Sequence, residues 1–287
     1  MMSVGVLIAG ALTPFRYQFF TNGILVASVA GALCGLLGVF VILRGMSYIG
    51  HGLSHAVFGG AAASAVIGIN FFIGAGIWGV VSGVLIGRIA RRKLIGADAA
   101  IGVVTTASFA LGLALLNRYG QAKKSIEAVL FGSVLGVQTI DIIAVCAVAL
   151  ITVALVVYFY RALLFATFDP EVAEVSGVRV ALVEAMLMVM LSLTILVTMR
   201  VIGTLLISAL LVIPASVARM LTNSFARMLW ISPIIGAISA GVGMYLSYFL
   251  DTSSSATIIL AATVMFIVVY ALTGLRGRSR IAHMHHI

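Results

Sequence analysis

The side chains best suited to chemistry are two imidazoles in the stretch "IGHGLSHAVFGG" at 49–60. His51 and His55 lie in a run that carries no formal charge from Gly45 to Gly87. Spaced i, i+4 on a helix, they share one face a turn apart and could grip one transition-metal ion. Ser54 beside them is placed to support a ligand from outside the coordination sphere. Neutral imidazole is costly in hydrocarbon unless it is hydrogen-bonded or coordinated, which makes the pair a functional candidate. The bland alternative is two histidines that donate to nearby carbonyls or sit at a membrane edge, because His51 lies only seven residues past Arg44. Zinc-protease chemistry is discounted: HExxH needs Glu after its first His, and here Gly52, Leu53 and Ser54 follow. The other histidines, in "HMHHI" at 283–287, read as a mobile tail that meets cations weakly.

Such a pair needs an apolar scaffold, and the composition supplies one. The 287 residues are 63% hydrophobic and only 9% charged, with a mean hydropathy of +1.25. A soluble domain carries about a quarter charged residues, so the surplus apolar surface here must face lipid. Charge-free runs at 23–43, 45–87, 99–117, 142–160, 201–218, 228–250 and 252–275 are long enough to cross a bilayer. The run 45–87 holds two crossings with "NFFIGAG" (70–76) as the turn, and 180–199 adds one that Glu184 and Arg200 bracket. The reading is an all-α integral membrane protein. It is one polytopic bundle over 1–287 with nine spans, or eight if one segment is re-entrant. Barrel-type alternation is absent, and helices are the remaining way to satisfy backbone in lipid. Glycine-rich strings such as "GGAAASA" (59–65) and "GAISAGVG" (236–243) suit close helix packing. Residues 1–22 read as an interfacial segment containing "PFRYQFF"; they lack the basic start of a signal peptide. Cys34 and Cys146 fall in spans and read as packing residues.

A net charge of +9 raises the question of nucleic acid, but the basic residues are scattered at span ends, and orientation explains them better. With the amino terminus outside, twelve Lys and Arg fall inside against five outside, which places the 276–287 tail in the cytoplasm. There is no GxxxxGK[ST] loop, so the chain does not bind ATP by that device. One inside loop is acidic: "FDPEVAEVSGV" (168–178), with Asp169, Glu171 and Glu174. Asp169 as N-cap, Pro170 at the first helical position and Gly177 as the stop predict a helix of about two turns. It is either an ordinary connector or a docking knob for a cytoplasmic partner. Asp98, after the basic "RRK", reads as the cap of the following span. Pro214 in "LLISALLVIPAS", with Ser208 in the same segment, would kink or break a helix and so makes 203–215 a plausible pathway wall.

Four segments in order, "GLLGVFVILRGMSYIGHGLSHAVFGGAA" (35–62), "IGADAAIGVVTTASFALG" (95–112), "FDPEVAEVSGV" and "VIGTLLISALLVIPASVARML" (201–221), resemble the zinc/manganese ABC-transporter permeases. The resemblance covers almost the whole chain. It implies a homodimeric importer core in the cell membrane, in contact with lipid and driven by two cytoplasmic ATPase subunits. An extracytoplasmic metal-binding protein would feed it Zn²⁺ or Mn²⁺, with no permanently bound cofactor. It also implies that 168–178 is the coupling helix, with Asp169, Pro170, Glu171, Ala173, Glu174, Ser176 and Gly177 meeting the ATPase. Family members carry Asp in place of His51, in a G-D-x-L-S-H pattern, so His55 matches the family's ligand and His51 departs from it. A second imidazole is softer than carboxylate and leans the site toward zinc. The rivals are a secondary cation transporter or channel, which would not need the capped acidic helix, and an intramembrane enzyme, for which no base–nucleophile set is present.

Overall fold

A computed structural model describes residues 13–92, 94–119 and 136–284, and every long element among them is a helix. A 3-10 turn at Thr13–Arg16 leads into α1 (Gln18–Leu43), α2 (Ile49–Ile67), α3 (Phe71–Arg91) and α4 (Ala97–Tyr119). Next come α5 (Thr139–Tyr158), the short α6 (Tyr160–Phe168) and α7 (Pro170–Val175), and then α8 (Val180–Ile202). α9 (Thr204–Leu221), α10 (Phe225–Leu250) and α11 (Ser254–Met284) complete the series. Seven of these (α1, α3, α4, α5, α8, α10 and α11) are long and apolar enough to cross a bilayer alone. The histidine-bearing α2 and the shorter apolar α9 pack among them, which makes nine long helices among the described residues.

α1 is the centre of the bundle: 72% of its apolar window is buried, against 17% for α11, which keeps a face for lipid. Small residues let α10 come close to it. A Cβ at Gly31 would run into the Gly236 carbonyl, and Ser232 Oγ donates to the Gly35 carbonyl at 2.6 Å. On the other flank Gly59 of α2 meets the backbone of Ser108 on α4. Aromatic contacts mark the two ends. Phe225 packs edge-on against Phe40 at 5.6 Å and Phe168 at 5.8 Å, which gathers the end of α1, the start of α10 and α6. At the opposite end Phe15 and Phe20 lie against Tyr245 and Tyr248.

Several boundaries differ from expectation, each for a local reason. The turn after α2 is at 68–70, not 70–76: Gly68 ends α2 at φ +77°, and Asn70 Oδ1 accepts the Phe72 N–H at 2.9 Å. A cap residue thus sets the boundary, and the following "FFIGAG" is already helix. α1 begins at Gln18, so only the segment up to Tyr17 precedes the first span. Asp98 lies within the first turn of α4 and is not its cap. α9 runs through Pro214 unbroken, and the chain instead changes course at Gly203, where φ is +77°. Helix α11 continues to Met284; His285 and His286, the segment before Thr13 and the loop holding Lys123 and Lys124 lie outside the described residues.

Candidate metal site

Because α2 starts at Ile49, His51 and His55 occupy its first two turns. Their Nε2 atoms stand 3.2 Å apart, with ring centroids at 4.5 Å and planes at 81°. Two nitrogens on a tetrahedral ion at about 2.0–2.1 Å would be about 3.3 Å apart. Two adjacent ligands on an octahedral ion at ~2.2 Å would be ~3.1 Å apart. The pair is therefore already spaced for one ion in either geometry, and without an ion one ring donates to the other. His55 lies edge-on to Phe109 at 4.9 Å, and its Nδ1 is buried with no partner among the described residues. His51 remains exposed on the flank of the subunit.

Depth follows from packing. Gly38 of α1 and Gly50 of α2 both abut Leu211 of α9, so Gly50 is level with a point six residues before Arg44. At ~1.5 Å per residue that is ~9 Å, and His55 is ~7 Å further on. The pair therefore lies roughly 10–16 Å beyond the level of Arg44 along the bundle.

A cavity of about 400 Å³ runs along this face of α2, lined by Tyr48, His51, His55, Asp98, Thr105 and Phe109 among others. Asp98, read from sequence only as a cap, is brought here by the packing of α4 against α2. Three candidates are not in this lining. Ser54 is buried and gives its hydroxyl proton to the Gly50 carbonyl at 2.6 Å, so it does not reach an imidazole. Ser208 and Pro214 lie on α9; the Ser208 hydroxyl is buried without a partner among the described residues, and Pro214 is buried.

The acidic helix α7 forms as its sequence predicts. Asp169 Oδ1 accepts the Val172 N–H at 3.0 Å, and Pro170 occupies the first position. At its other end Val178 N–H reaches the Ala173 carbonyl at 2.9 Å and Gly177 N–H the Glu174 carbonyl at 3.1 Å. That pair of bonds requires a left-handed residue, and Gly177 supplies it at φ +81°. Ala173 is fully buried, while Val175 is 91% exposed.

Ion pairs that sequence reading missed tie α7 to the spans. Glu174 meets Arg91 at 3.1 Å, Arg91 meets Glu184 at 3.4 Å, and Glu184 meets Arg44 at 3.6 Å. Arg44 also donates to Thr167 Oγ1 at 3.4 Å. Burial lowers the Arg44 pKa from its ordinary value, and the Glu184 charge opposes that shift. Glu184 thus lies at one end of its span as expected; the Arg200 side chain at the other end is outside the described residues. The only signal in the sequence was an acid in an apolar run, with nothing to name its partners.

Nine long helices packed together among the described residues, seven of them long and apolar enough to span a bilayer, define a multi-pass membrane protein. The chain belongs to the ABC 3 transport family, whose model matches residues 16–273. It is 36% identical over 262 residues to a manganese transport system membrane protein of Listeria monocytogenes, covering 91% of this chain and 93% of that one. A manganese import system permease of Streptococcus parasanguinis is 35% identical over 273 residues, covering 94% and 96%. Among solved structures, a chain of PsaBC from Streptococcus pneumoniae in complex with Fab matches with a TM-score of 0.80 at 34% identity. The match covers 92% of this chain and 95% of that one.

Proposed function

We propose that this protein is the membrane-spanning subunit of an ATP-driven importer that carries a divalent transition metal, Mn²⁺ or Zn²⁺, into the cytoplasm. The observation that carries the reading is the 3.2 Å separation of the His51 and His55 Nε2 atoms, two donors held at the spacing one ion requires. Relatives named for manganese support the cargo class. The second imidazole extends the preference toward zinc.

Two nitrogens make an incomplete shell, which suits a site that must release its ion. An imidazole exposed on a span is costly in lipid. A second copy of the subunit facing it would cover His51 and could bring two more nitrogens, so the working unit is a homodimer. The cytoplasmic side is the end rich in arginine, and the tail after residue 276 lies there. Two ATPase subunits dock on α7, whose exposed Val172 and Val175 offer an apolar tip. An extracytoplasmic metal-binding protein delivers the ion at the opposite end. ATP-driven movement of α7 passes through Glu174, Arg91, Glu184 and Arg44 to the end of α1, next to the start of α2, and changes which side the histidines face. Ser208 and Pro214 would contribute to the wall that α9 presents to α2 rather than to the metal shell.

The test is metal uptake into proteoliposomes that hold permease, ATPase and binding protein. His51→Ala/His55→Ala is expected to abolish uptake while the ATPase complex still assembles. Full uptake by that variant would leave the two histidines as packing residues. A secondary transporter or channel would move metal without the ATPase, and the same vesicles without nucleotide detect that.

A further inference from the structure

Asp98 shares the histidine cavity but not the histidine site. It lines the same 400 Å³ space as His51 and His55, yet no three His, Cys, Asp or Glu among the described residues converge on one metal position. Its place along the groove follows from the α2–α4 contact. A Cβ at Gly52 would meet Ile101 and Thr105 side chains, so Gly52 is level with the middle of 101–105. Asp98 is therefore ~7 Å nearer the arginine-rich end than Gly52, and ~6 Å from the level of His51. At the level of His51 the α4 wall is Gly102, where an added Cβ would meet nothing within 4 Å. The groove thus continues from the imidazoles to the carboxylate past a glycine.

Electrostatics favour the same role. From Arg88 to Asp98 the chain carries Arg88, Arg91, Arg92 and Lys93, and Asp98 is the single acid. Its carboxylate is exposed, and no ion pair among the described residues engages it. Within this stretch of chain Asp98 is the one attractive charge for a cation moving toward this end. A hard carboxylate oxygen also takes a hard cation from imidazole nitrogen more readily than it takes a soft one.

We propose that Asp98 is a second metal-accepting station, on the release side of the histidine pair. It receives the cation as it leaves His51 and His55 and weights passage toward manganese over zinc. The proposal rests on the transport reading above, and it assigns the direction of exit and one further oxygen donor to the groove.

Asp98→Asn and Asp98→Glu would be reconstituted with ATPase and binding protein, beside His51→Ala/His55→Ala. Uptake of Mn²⁺ and Zn²⁺ in competition would be measured, together with Mn²⁺ occupancy of the purified permease–ATPase complex by equilibrium dialysis. Asp98→Asn should lower manganese uptake about tenfold or more. It should cut zinc uptake less and leave Mn²⁺ occupancy at the histidines unchanged. Asp98→Glu, which keeps the oxygen donor, should recover most of the loss. A residue that served only the first turn of α4 would affect both metals equally. Wild-type uptake in Asp98→Asn, or equal loss of both metals without rescue by Glu, overturns the proposal. Unchanged uptake in the double alanine variant overturns the histidine reading instead, so the two failures are told apart.

Discussion

The imidazole at position 51 offers a softer donor than a carboxylate oxygen would, at a spacing that lets one ion bridge to His55. His51→Asp is accordingly expected to keep transport and shift preference from zinc toward manganese, read as the ratio of the two metals taken up in competition. An unchanged ratio would mean that metal choice is made elsewhere in the groove. The histidine pair was legible in the sequence because i, i+4 spacing needs no tertiary information: the helix itself brings the nitrogens together. Asp98 was not. It lies 43 residues beyond His55 and reaches the same cavity only because Gly52 and Gly59 let α4 lie flat on α2. The Ser54 hydroxyl was misjudged for a related reason, since on a buried helix face the carbonyl one turn back is the nearest acceptor.

Helix α7 is where local and distant determinants meet. Asp169, Pro170 and Gly177 write its start and stop within a few residues, which is why its existence and ends could be read directly. Its attachment could not, because Arg91 and Glu184 come from α3 and α8 and their pairing depends on how those helices close around α1. The same division explains the turn at 68–70: glycines in "FFIGAG" looked like a break, but Asn70 had already capped the next helix. For coupling, the exposed face and the stop signal are separately testable. Gly177→Pro cannot adopt φ +81° and would undo the bonds that end α7. Glu171→Lys reverses a charge in its first turn, where an acid favours the helix dipole by about 0.3–1 kcal/mol. Both variants should insert and assemble in the membrane while losing most ATP-driven uptake, measured as metal transported per ATP hydrolysed. Normal coupling in both would remove α7 from the transmission path.

For the molecule as a whole, the apolar runs predicted a polytopic helical bundle, and their lengths carried that prediction because a span needs little beyond about 20 apolar residues. What they did not carry is how the helices group. α1 at the centre and α11 at the rim have similar hydropathy, 2.5 and 2.3, so burial was decided by partners and not by composition. Orientation rests on a different quantity, the distribution of positive charge. The ends of α1 and α3 and the start of α10 gather at one end with Arg44, Arg91 and Arg227, where α7 also lies. Because α10 starts at that end, the turn between α10 and α11 falls at the opposite end. A cysteine placed at Ser253, exposed in that turn, should react with a membrane-impermeant reagent added outside intact cells. One at Ser279 should react only after permeabilisation. The reverse pattern would invert the bundle, put α7 beyond the reach of a cytoplasmic ATPase, and take the transmission path down with it.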